Sequence, residues 1–200
     1  SPFRLYAGAS ARLVVSGVGK VATAAAVAYA QARFADEPAP WLNIGIAGHA
    51  RAAIGTAFVA HKIVDVATGN TFYPFFGCAT SHRSTCVYSV DQPTEDYTQD
   101  DAKNGAFDME ACAFVATAQR FVPAELAHSF KVVSDNPQSS WRTIKREQVQ
   151  ECIAQHLPNI DALIELLVAQ GALWKEQRAH PPHLKSSLER WHFTVSQQHR

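Results

Sequence analysis

An acidic residue stands where a predicted strand ends, a position that favours chemistry. The pattern of Phe130–Val133 predicts a short buried strand, and Asp135 and Asn136 follow it in a polar turn before Pro137. In an open α/β sheet, ligands bind in the crevice outside the carboxyl ends of the strands. Asp135 is therefore a candidate for proton transfer to or from a ligand. Asp and Asn before a proline are also ordinary turn residues, so a purely structural role stays open.

A second carboxylate, Glu110, leads an apolar helical pattern. The residues from Asp108 to Phe121 predict a helix that Asp108 caps, and the neighbours of Glu110 one turn on are Ala113 and Phe114. A carboxylate at this position either lies at the rim of a pocket or interacts only with the positive end of the helix dipole. The pattern leaves both interpretations open.

Two glycines precede a predicted alanine-rich helix, residues 21–34. Gly17 and Gly19 lie in the turn Ser16–Lys20, after a strand-like run at residues 12–15. Such a turn lets backbone N–H groups approach an anion at the helix N-terminus. It is neither a dinucleotide fingerprint nor a P-loop, so a structural turn remains an alternative.

Small residues at the end of the apolar run Trp41–Gly48 form a third set of candidate site residues. The run does not alternate, which predicts a strand buried on both faces of a parallel sheet. Its small residues, Gly45, Ala47 and Gly48, leave space either for a ligand or for close packing of a helix. Both interpretations stay open.

The rest of the chain supplies further elements around these candidates. Strands are predicted at residues 3–6, 58–67 and 85–90, a polar segment at 91–105, and a long helical stretch at 143–174 that Pro158 breaks or kinks. Four aromatic residues in a predicted loop suit either a planar ligand or a subunit contact: Phe72, Tyr73, Phe75 and Phe76. These patterns predict one domain, residues 1–174, and a C-terminal extension, residues 175–200.

Composition narrows the class of ligand. Eighteen basic and eighteen acidic residues cancel, and no basic patch is typical of a nucleic-acid binder, so a small-molecule ligand is expected. The sequence contains no run of 18 apolar residues and no signal-peptide pattern, which favours a cytoplasmic protein without a membrane contact. The tail segment His180–His183 lacks a third ligand and is a poor metal site, so no metal is predicted. Cys112 and Cys152 are expected to be buried thiols, while Cys78 and Cys86 are free to pair or not.

Four motifs in order resemble those of the nucleoside phosphorylase and nucleosidase superfamily. They are most similar to the branch of the methylthioadenosine/S-adenosylhomocysteine nucleosidases, and they span roughly residues 12 to 165. The motifs are SGVGK (16–20), NIGIAG (43–48), DMEACA (108–113) and VVSDNP (132–137). The resemblance implies a three-layer αβα fold with a mixed central sheet, and cleavage of the N-glycosidic bond of a purine nucleoside. It also implies no cofactor, inorganic phosphate as co-substrate in a phosphorylase, and a homo-oligomer, dimer or higher.

The same resemblance implies a role for each matching residue. Asp135 would hydrogen-bond purine N7 and help to protonate the departing base, and Glu110 would hold the ribose hydroxyls. Met109 would pack against the sugar. The other residues implied at the substrate are Phe107, Ala47, Gly48 and Asn136, with Gly17 and Gly19 on the phosphate or water side.

The chain also departs from the family pattern. The family's first strand, with the acidic residue that activates water, is not visible before Ser1. Ile46 stands where those nucleosidases carry a serine, and His49 stands where a glycine is usual. Hydrolysis and phosphorolysis therefore both stay open, and so does a catalytically degenerate protein that binds nucleosides or only oligomerises.

Overall fold

A mixed sheet of six strands positions every candidate site residue except the two glycines before the first helix. The computed structural model describes residues 1–8, 11–34, 39–75, 82–95, 104–179 and 190–191. Its strands are β1 (Arg4–Ala7), β2 (Arg12–Val15), β3 (Trp41–His49), β4 (Ala57–Asp65), β5 (Thr71–Phe72), β6 (Ser84–Ser89), β7 (Ala106–Asp108) and β8 (Ala127–Asp135). Its helices are α1 (Lys20–Arg33), α2 (Ala111–Ala118), α3 (Arg146–Ala154) and α4 (Leu157–Ala179).

The order of strands in the large sheet is β5-β4-β6-β7-β3-β8, and β4 also pairs with β8. This extra pairing closes β4, β6, β7, β3 and β8 into a ring. Strand β3 runs parallel to β8 and antiparallel to β7, while β4 runs parallel to β6 and antiparallel to β8. The predicted mixed central sheet is thus confirmed, and strands β1 and β2 form a separate antiparallel pair.

Helices cover the sheet on two sides, as the αβα prediction requires. On one side, α1 and α2 contribute Val27, Phe114 and Val115 to a core that includes Ala47 of β3. On the other side, apolar residues of α4 pack against Phe130 and Val132 of β8: Ile160, Leu163 and Leu167. All nine residues of β8 are buried, because each of its faces meets one of these two helical layers. Burying a large apolar side chain such as Phe130 or Val132 contributes roughly 1.5–3 kcal/mol.

The helix predicted from Asp108 begins later than expected, and this prediction was wrong at its start. Residues 106–108 form β7, which pairs with β3 and β6, and α2 spans only Ala111–Ala118. The capping interaction is nevertheless present, because Asp108 Oδ2 accepts a hydrogen bond from the Ala111 amide at 2.8 Å. Sheet pairing overrode the helical pattern, while the side chain of Asp108 still serves the helix N-terminus.

The long helical stretch is divided before Pro158, at residues 155–156, and not at the proline itself. Pro158 lies in the first turn of α4, where its missing N–H has no intrahelical acceptor to lose. Helix α4 continues past residue 174 to Ala179, and the domain boundary drawn there stays a prediction. Outside the described residues lie Phe76, Cys78, most of the segment 91–105 and the His180–His183 tail.

In the described part of the chain, no single helix is long and apolar enough to cross a membrane. The bent pair of α3 and α4, with 57° between its helices, passes the same test of length and composition only when the two are taken together.

Candidate active site

The junction between β7 and α2 brings two of the predicted motifs into contact. Glu110 Oε1 accepts a hydrogen bond from the Gly19 amide at 2.7 Å, and its Oε2 accepts one from the Met109 amide at 3.3 Å. Gly17 and Gly19 have φ angles of 87° and 93°, a region that favours glycine. The glycine turn therefore presents a backbone N–H to the carboxylate, which is half-buried. Sequence placed these motifs 91 residues apart, and the fold joins them.

A buried ion pair lies directly behind this junction. Lys131 Nζ of β8 lies 2.7 Å from Asp108 Oδ2, and the two side chains are 2% and 0% exposed. Ser89 Oγ donates to Asp108 Oδ1 at 2.6 Å and accepts from the Cys112 amide at 2.9 Å. The carboxylate of Asp108 thus ties β8 and β6 to the first turn of α2, which carries Glu110.

Sequence reasoning missed Lys131 and Ser89 as members of the site. The signal in the sequence was a single lysine inside an otherwise apolar strand, a position that requires a buried partner. Gly45 is the residue that makes room for it, because a Cβ added there would come within 3.1 Å of Lys131 Nζ. The small size of Gly45 therefore serves the packing of a lysine.

Asp135 lies in a row of residues that crosses three adjacent strands. Gly48 of β3 pairs with Phe107 of β7 on one side and with Asp135 of β8 on the other. Paired residues display their side chains on the same face of a sheet, so Phe107 and Asp135 flank a position that has no side chain. A register irregularity after Ala47 makes this pairing possible, because it leaves Ser134 as an extra residue.

The carboxylate of Asp135 is buried and held by its neighbour. Only 7% of the residue is exposed, and Ser134 Oγ donates to Asp135 Oδ1 at 2.6 Å. Phe107 is also buried and stacks on Tyr88, with 5.5 Å between ring centroids. Phe107 and Glu110 are three residues apart, so one short segment contributes both to the row with Asp135 and to the contact with Gly19.

The side chain of Asn136, which was predicted to contact the substrate, makes hydrogen bonds within its own turn and to the loop after β3. Its Nδ2 donates to the Ala52 carbonyl at 3.2 Å, and its Oδ1 accepts from the Gln138 and Ser139 amides at 3.0 and 3.1 Å. This is the geometry of an Asx turn with one additional contact to the loop after β3. The contact of Asn136 with a substrate stays a prediction.

His49, at the end of β3, is a buried histidine with a defined set of partners. Its Nδ1 accepts hydrogen bonds from the Arg51 and Ala52 amides at 3.0 and 3.1 Å. Its ring stacks on Phe58 at 5.5 Å and hydrogen-bonds the backbone of Asn104. Burial lowers the pKa of His49, and the neighbouring Arg51 acts in the same direction although the bond to Asn104 opposes it. His49 is therefore neutral near pH 7.

Lys20 fixes the first turn of α1, next to Gly19, to two strand ends. Its Nζ lies 2.5 Å from Asp65 Oδ1 and 2.7 Å from Asp91 Oδ1. Burial by itself would lower the pKa of Lys20, but the hydrogen bonds to both carboxylates outweigh it and raise that pKa. The same ammonium, together with Thr68, holds the pKa of Asp65 below its usual range although burial opposes this shift. The ion pairs of Lys20 with Asp65 and Asp91 thus hold the end of the glycine turn that leads into α1.

A small cavity lies beside Ser134, between the end of β8 and α3. Its volume is about 50 Å³ for water-sized molecules, and it is lined by Ile54, Ser134, Ser139, Thr143, Gln148 and Cys152, among others. Among the described residues, no group of three His, Cys, Asp or Glu side chains could hold a metal ion.

Neither a protein-family profile nor a curated protein sequence matches the chain. Solved structures do. A putative methylthioadenosine nucleosidase from Weissella paramesenteroides superposes with a TM-score of 0.56 at 16% identity, over 84% of this chain and 88% of the other. The methylthioadenosine/S-adenosylhomocysteine nucleosidase of Colwellia psychrerythraea, in complex with adenine, gives 0.53 at 18% identity, over 85% and 87%. The futalosine hydrolase of Helicobacter pylori gives 0.52 at 14% identity, over 84% of each chain.

These likenesses cover most of both chains, and at such low identity they bear on the fold. They confirm the resemblance drawn from the four motifs at that level. The chain has the mixed-sheet α/β fold of the methylthioadenosine nucleosidases.

Proposed function

We propose that this protein hydrolyses the N-glycosidic bond of a purine nucleoside or a related compound. The observation that supports the proposal is the position of two carboxylates, one where a leaving base could be protonated and one where a ribose could be bound. Asp135 is buried at a strand end beside Gly48, and Glu110 is held at the glycine turn. Solved proteins with this fold include nucleosidases and a futalosine hydrolase.

In the proposed reaction, Asp135 is the general acid. Breaking the bond between the sugar and the base leaves the electron pair on the base and positive charge on the ribose. A proton from the Asp135 carboxyl to N7 of the purine neutralises the departing base, and such help contributes about 10²–10⁴ in rate. Water then forms a bond to the anomeric carbon of the ribose and releases one proton to solvent, from which the Asp135 carboxylate is reprotonated. Ser134 Oγ, which donates to Asp135 Oδ1, fixes the rotation of the carboxyl group so that its other oxygen is aimed at a constant position.

Glu110 is the proposed anchor for the ribose. Each carboxylate oxygen has more than one lone pair, so Glu110 can keep the Gly19 amide as a donor and still accept hydrogen bonds from sugar hydroxyls. Its negative charge also lies near the sugar on which positive charge develops. An interaction that strengthens as this charge develops lowers the barrier instead of merely tightening substrate binding.

The contact between Gly19 and Glu110 favours water over phosphate as the nucleophile. A phosphate bound at the Gly19 amide would stand beside the carboxylate that already accepts from this amide at 2.7 Å. Two anions at one N–H repel each other, so a phosphate would have to displace Glu110. Phosphorolysis with inorganic phosphate as co-substrate is the less favoured version of the same function.

A second candidate function is nucleoside binding without catalysis. Ile46 favours it, because its side chain has no hydroxyl to orient a water where the resemblance implies a serine. In this case Asp135 and Glu110 would bind a nucleoside without turning it over.

We further propose that the protein acts as a homo-oligomer in the cytoplasm. Tyr73 and Phe75, which follow β5, are 63% and 61% exposed and belong to the aromatic cluster that suits a subunit contact. Light scattering after size-exclusion chromatography tests this proposal, and a monomer at micromolar concentration would contradict it.

The decisive experiment measures release of the free base from a panel of purine nucleosides, with and without phosphate. We expect release without phosphate, and we expect Asp135→Asn to reduce kcat by about 10²–10⁴. Asp161→Asn, on the exposed side of α4, is the matched control and should leave kcat unchanged.

Each other outcome selects an alternative. Release only with phosphate would identify a phosphorylase, and binding without release would identify the non-catalytic protein. Full activity of the Asp135→Asn variant would refute the assignment of Asp135 as the acid.

A further inference from the structure

His49 occupies a place in the fold from which hydrogen bonds lead to the residue next to Asp135. Its Nδ1 accepts from the amides of Arg51 and Ala52, and this fixes the loop that leaves β3. The carbonyl of Ala52 then accepts from Asn136 Nδ2 at 3.2 Å. Asn136 directly follows Asp135, so two hydrogen-bonded steps and one peptide bond connect the imidazole to the proposed acid.

The far end of this connection fixes the turn after Asp135. Asn136 Oδ1 accepts from the amides of Gln138 and Ser139, and the backbones of Asn136 and Ser139 also hydrogen-bond each other. The direction in which the chain leaves β8 is thus set on one side by the strand pairing with Gly48 and on the other by the loop that His49 holds. Movement of the Ala52 carbonyl would move the Asn136 side chain, and with it the backbone next to Asp135.

We propose that His49 is a positioning residue for Asp135, acting through the backbone of residues 51–52 and the side chain of Asn136. This inference rests on the proposed function, because it assigns a purpose to the position of the acid.

The geometry requires one form of the imidazole. Two backbone N–H groups point at Nδ1, so this nitrogen must carry a lone pair, and the proton of the neutral ring must lie on Nε2. The hydrogen bond between the ring and the Asn104 backbone gives that proton an acceptor, and the stacked ring of Phe58 fixes the plane. His49 thus acts as an Asx-type acceptor for amides two and three residues further on, a role that asparagine fills in ordinary turns.

Because of this role, His49→Asn and His49→Gln should differ in whether the Arg51 and Ala52 amides keep their acceptor, although the two new side chains have similar polarity. In asparagine the carbonyl oxygen is attached to Cγ, as Nδ1 is in histidine, so His49→Asn retains the acceptor for both amides. In glutamine the amide is one carbon further out, close to the place of Nε2, so His49→Gln loses it. His49→Ala loses both positions.

The experiment compares kcat and KM of the full chain with those of His49→Asn, His49→Gln and His49→Ala, using the nucleoside that the wild type cleaves best. Displacement of a catalytic group by about 1 Å can cost 10²-fold. We therefore expect kcat to fall by about ten- to a hundredfold for His49→Gln and His49→Ala, with KM nearly unchanged. We expect His49→Asn to stay within about threefold of the wild type, as the conservative replacement of one acceptor by another.

Circular dichroism and thermal melting of each variant keep the result interpretable, because kcat is calculated per folded molecule. Nitrogen NMR of the wild-type imidazole provides an independent readout, with an unprotonated Nδ1 expected at pH 7. Equal kcat values for the Asn and Gln variants, or a protonated Nδ1, would overturn the positioning role while leaving the proposed function intact. A wild type that cleaves no nucleoside refutes the proposed function, and the positioning role falls with it.

Discussion

The buried ion pair between Lys131 and Asp108 gives the sharpest test of how the site is assembled. Replacing Lys131 by methionine keeps most of the apolar stem of the side chain and removes the ammonium group, with its charge and its N–H donors. It leaves the Asp108 carboxylate in a place where its side chain is 0% exposed. The perturbation therefore isolates the effect of an unpaired buried charge.

The structure sets the size of the effect. At the observed separation of 2.7 Å and an effective dielectric constant of about 20, the attraction between the two charges is about 6 kcal/mol. Part of this offsets the cost of removing both groups from water, and breaking one partner of such a pair typically costs about 3–5 kcal/mol. Ser89 and the Ala111 amide still donate to Asp108, which favours the lower end of this range.

Urea denaturation of four proteins measures this quantity: the wild type, Lys131→Met, Asp108→Asn and the double variant. We expect Lys131→Met to lower the free energy of unfolding by about 3 kcal/mol, and the double variant to be less destabilised than the sum of the single ones by at least about 1 kcal/mol. Lys62→Met on β4, where the side chain is partly exposed, is the control for loss of a lysine and should cost less than about 1 kcal/mol. Additive losses, or a Lys131→Met cost equal to that of the control, would refute the reasoning.

Three further outcomes follow from single positions. Gly19→Ala should cost about 1–3 kcal/mol of stability and lower activity, because φ is 93° and ψ is 165° there, a region that is essentially restricted to glycine. A melting temperature equal to that of the wild type would contradict this. Gly45→Ala should destabilise the wild-type protein, since the added Cβ meets Lys131 Nζ at 3.1 Å. The same substitution should cost less in a protein that already carries Lys131→Met. Equal losses in both proteins would exclude this contact as the cause. The free energy of unfolding should fall as the pH drops below the ordinary pKa of 6.5, because burial lowers the pKa of His49 and of His128 and the unfolded chain then binds more protons. His49→Asn should weaken this dependence in urea denaturation between pH 5 and 7.5, whereas an unchanged slope would show that His49 does not titrate differently on folding.

Local pattern was sufficient for most elements of the fold. The strand–glycine turn–helix unit at residues 12–33, the apolar strand β3 and the strand β8 lie close to where periodicity and turn residues predict them. These elements are encoded by short-range rules: buried strands have continuous apolar runs, and positive φ angles favour glycine. The ordered motifs predicted the fold class as well, and the solved structures that superpose on this chain confirm it.

The tertiary structure decided which polar groups meet. Asp108, where the helical pattern begins, is the last residue of β7 in the structure, because β7 pairs with both β3 and β6. The sequence placed Lys131 in a buried strand but did not indicate its partner. The structure shows that Asp108, 23 residues earlier, forms an ion pair with it. Contacts of this kind depend on chain segments brought together only by strand order and register, which local sequence patterns do not specify.

Asp135 and Glu110 illustrate the same difference between what the sequence and the tertiary structure determine. Sequence alone identified Asp135 by its place after a buried strand and Glu110 by its place before an apolar helix face. The structure added what holds them: Ser134 on Asp135, and the Gly19 amide on Glu110. Residue type and spacing are local properties and can be read along the chain, whereas burial, pairing and hydrogen-bond direction exist only after the sheet has closed.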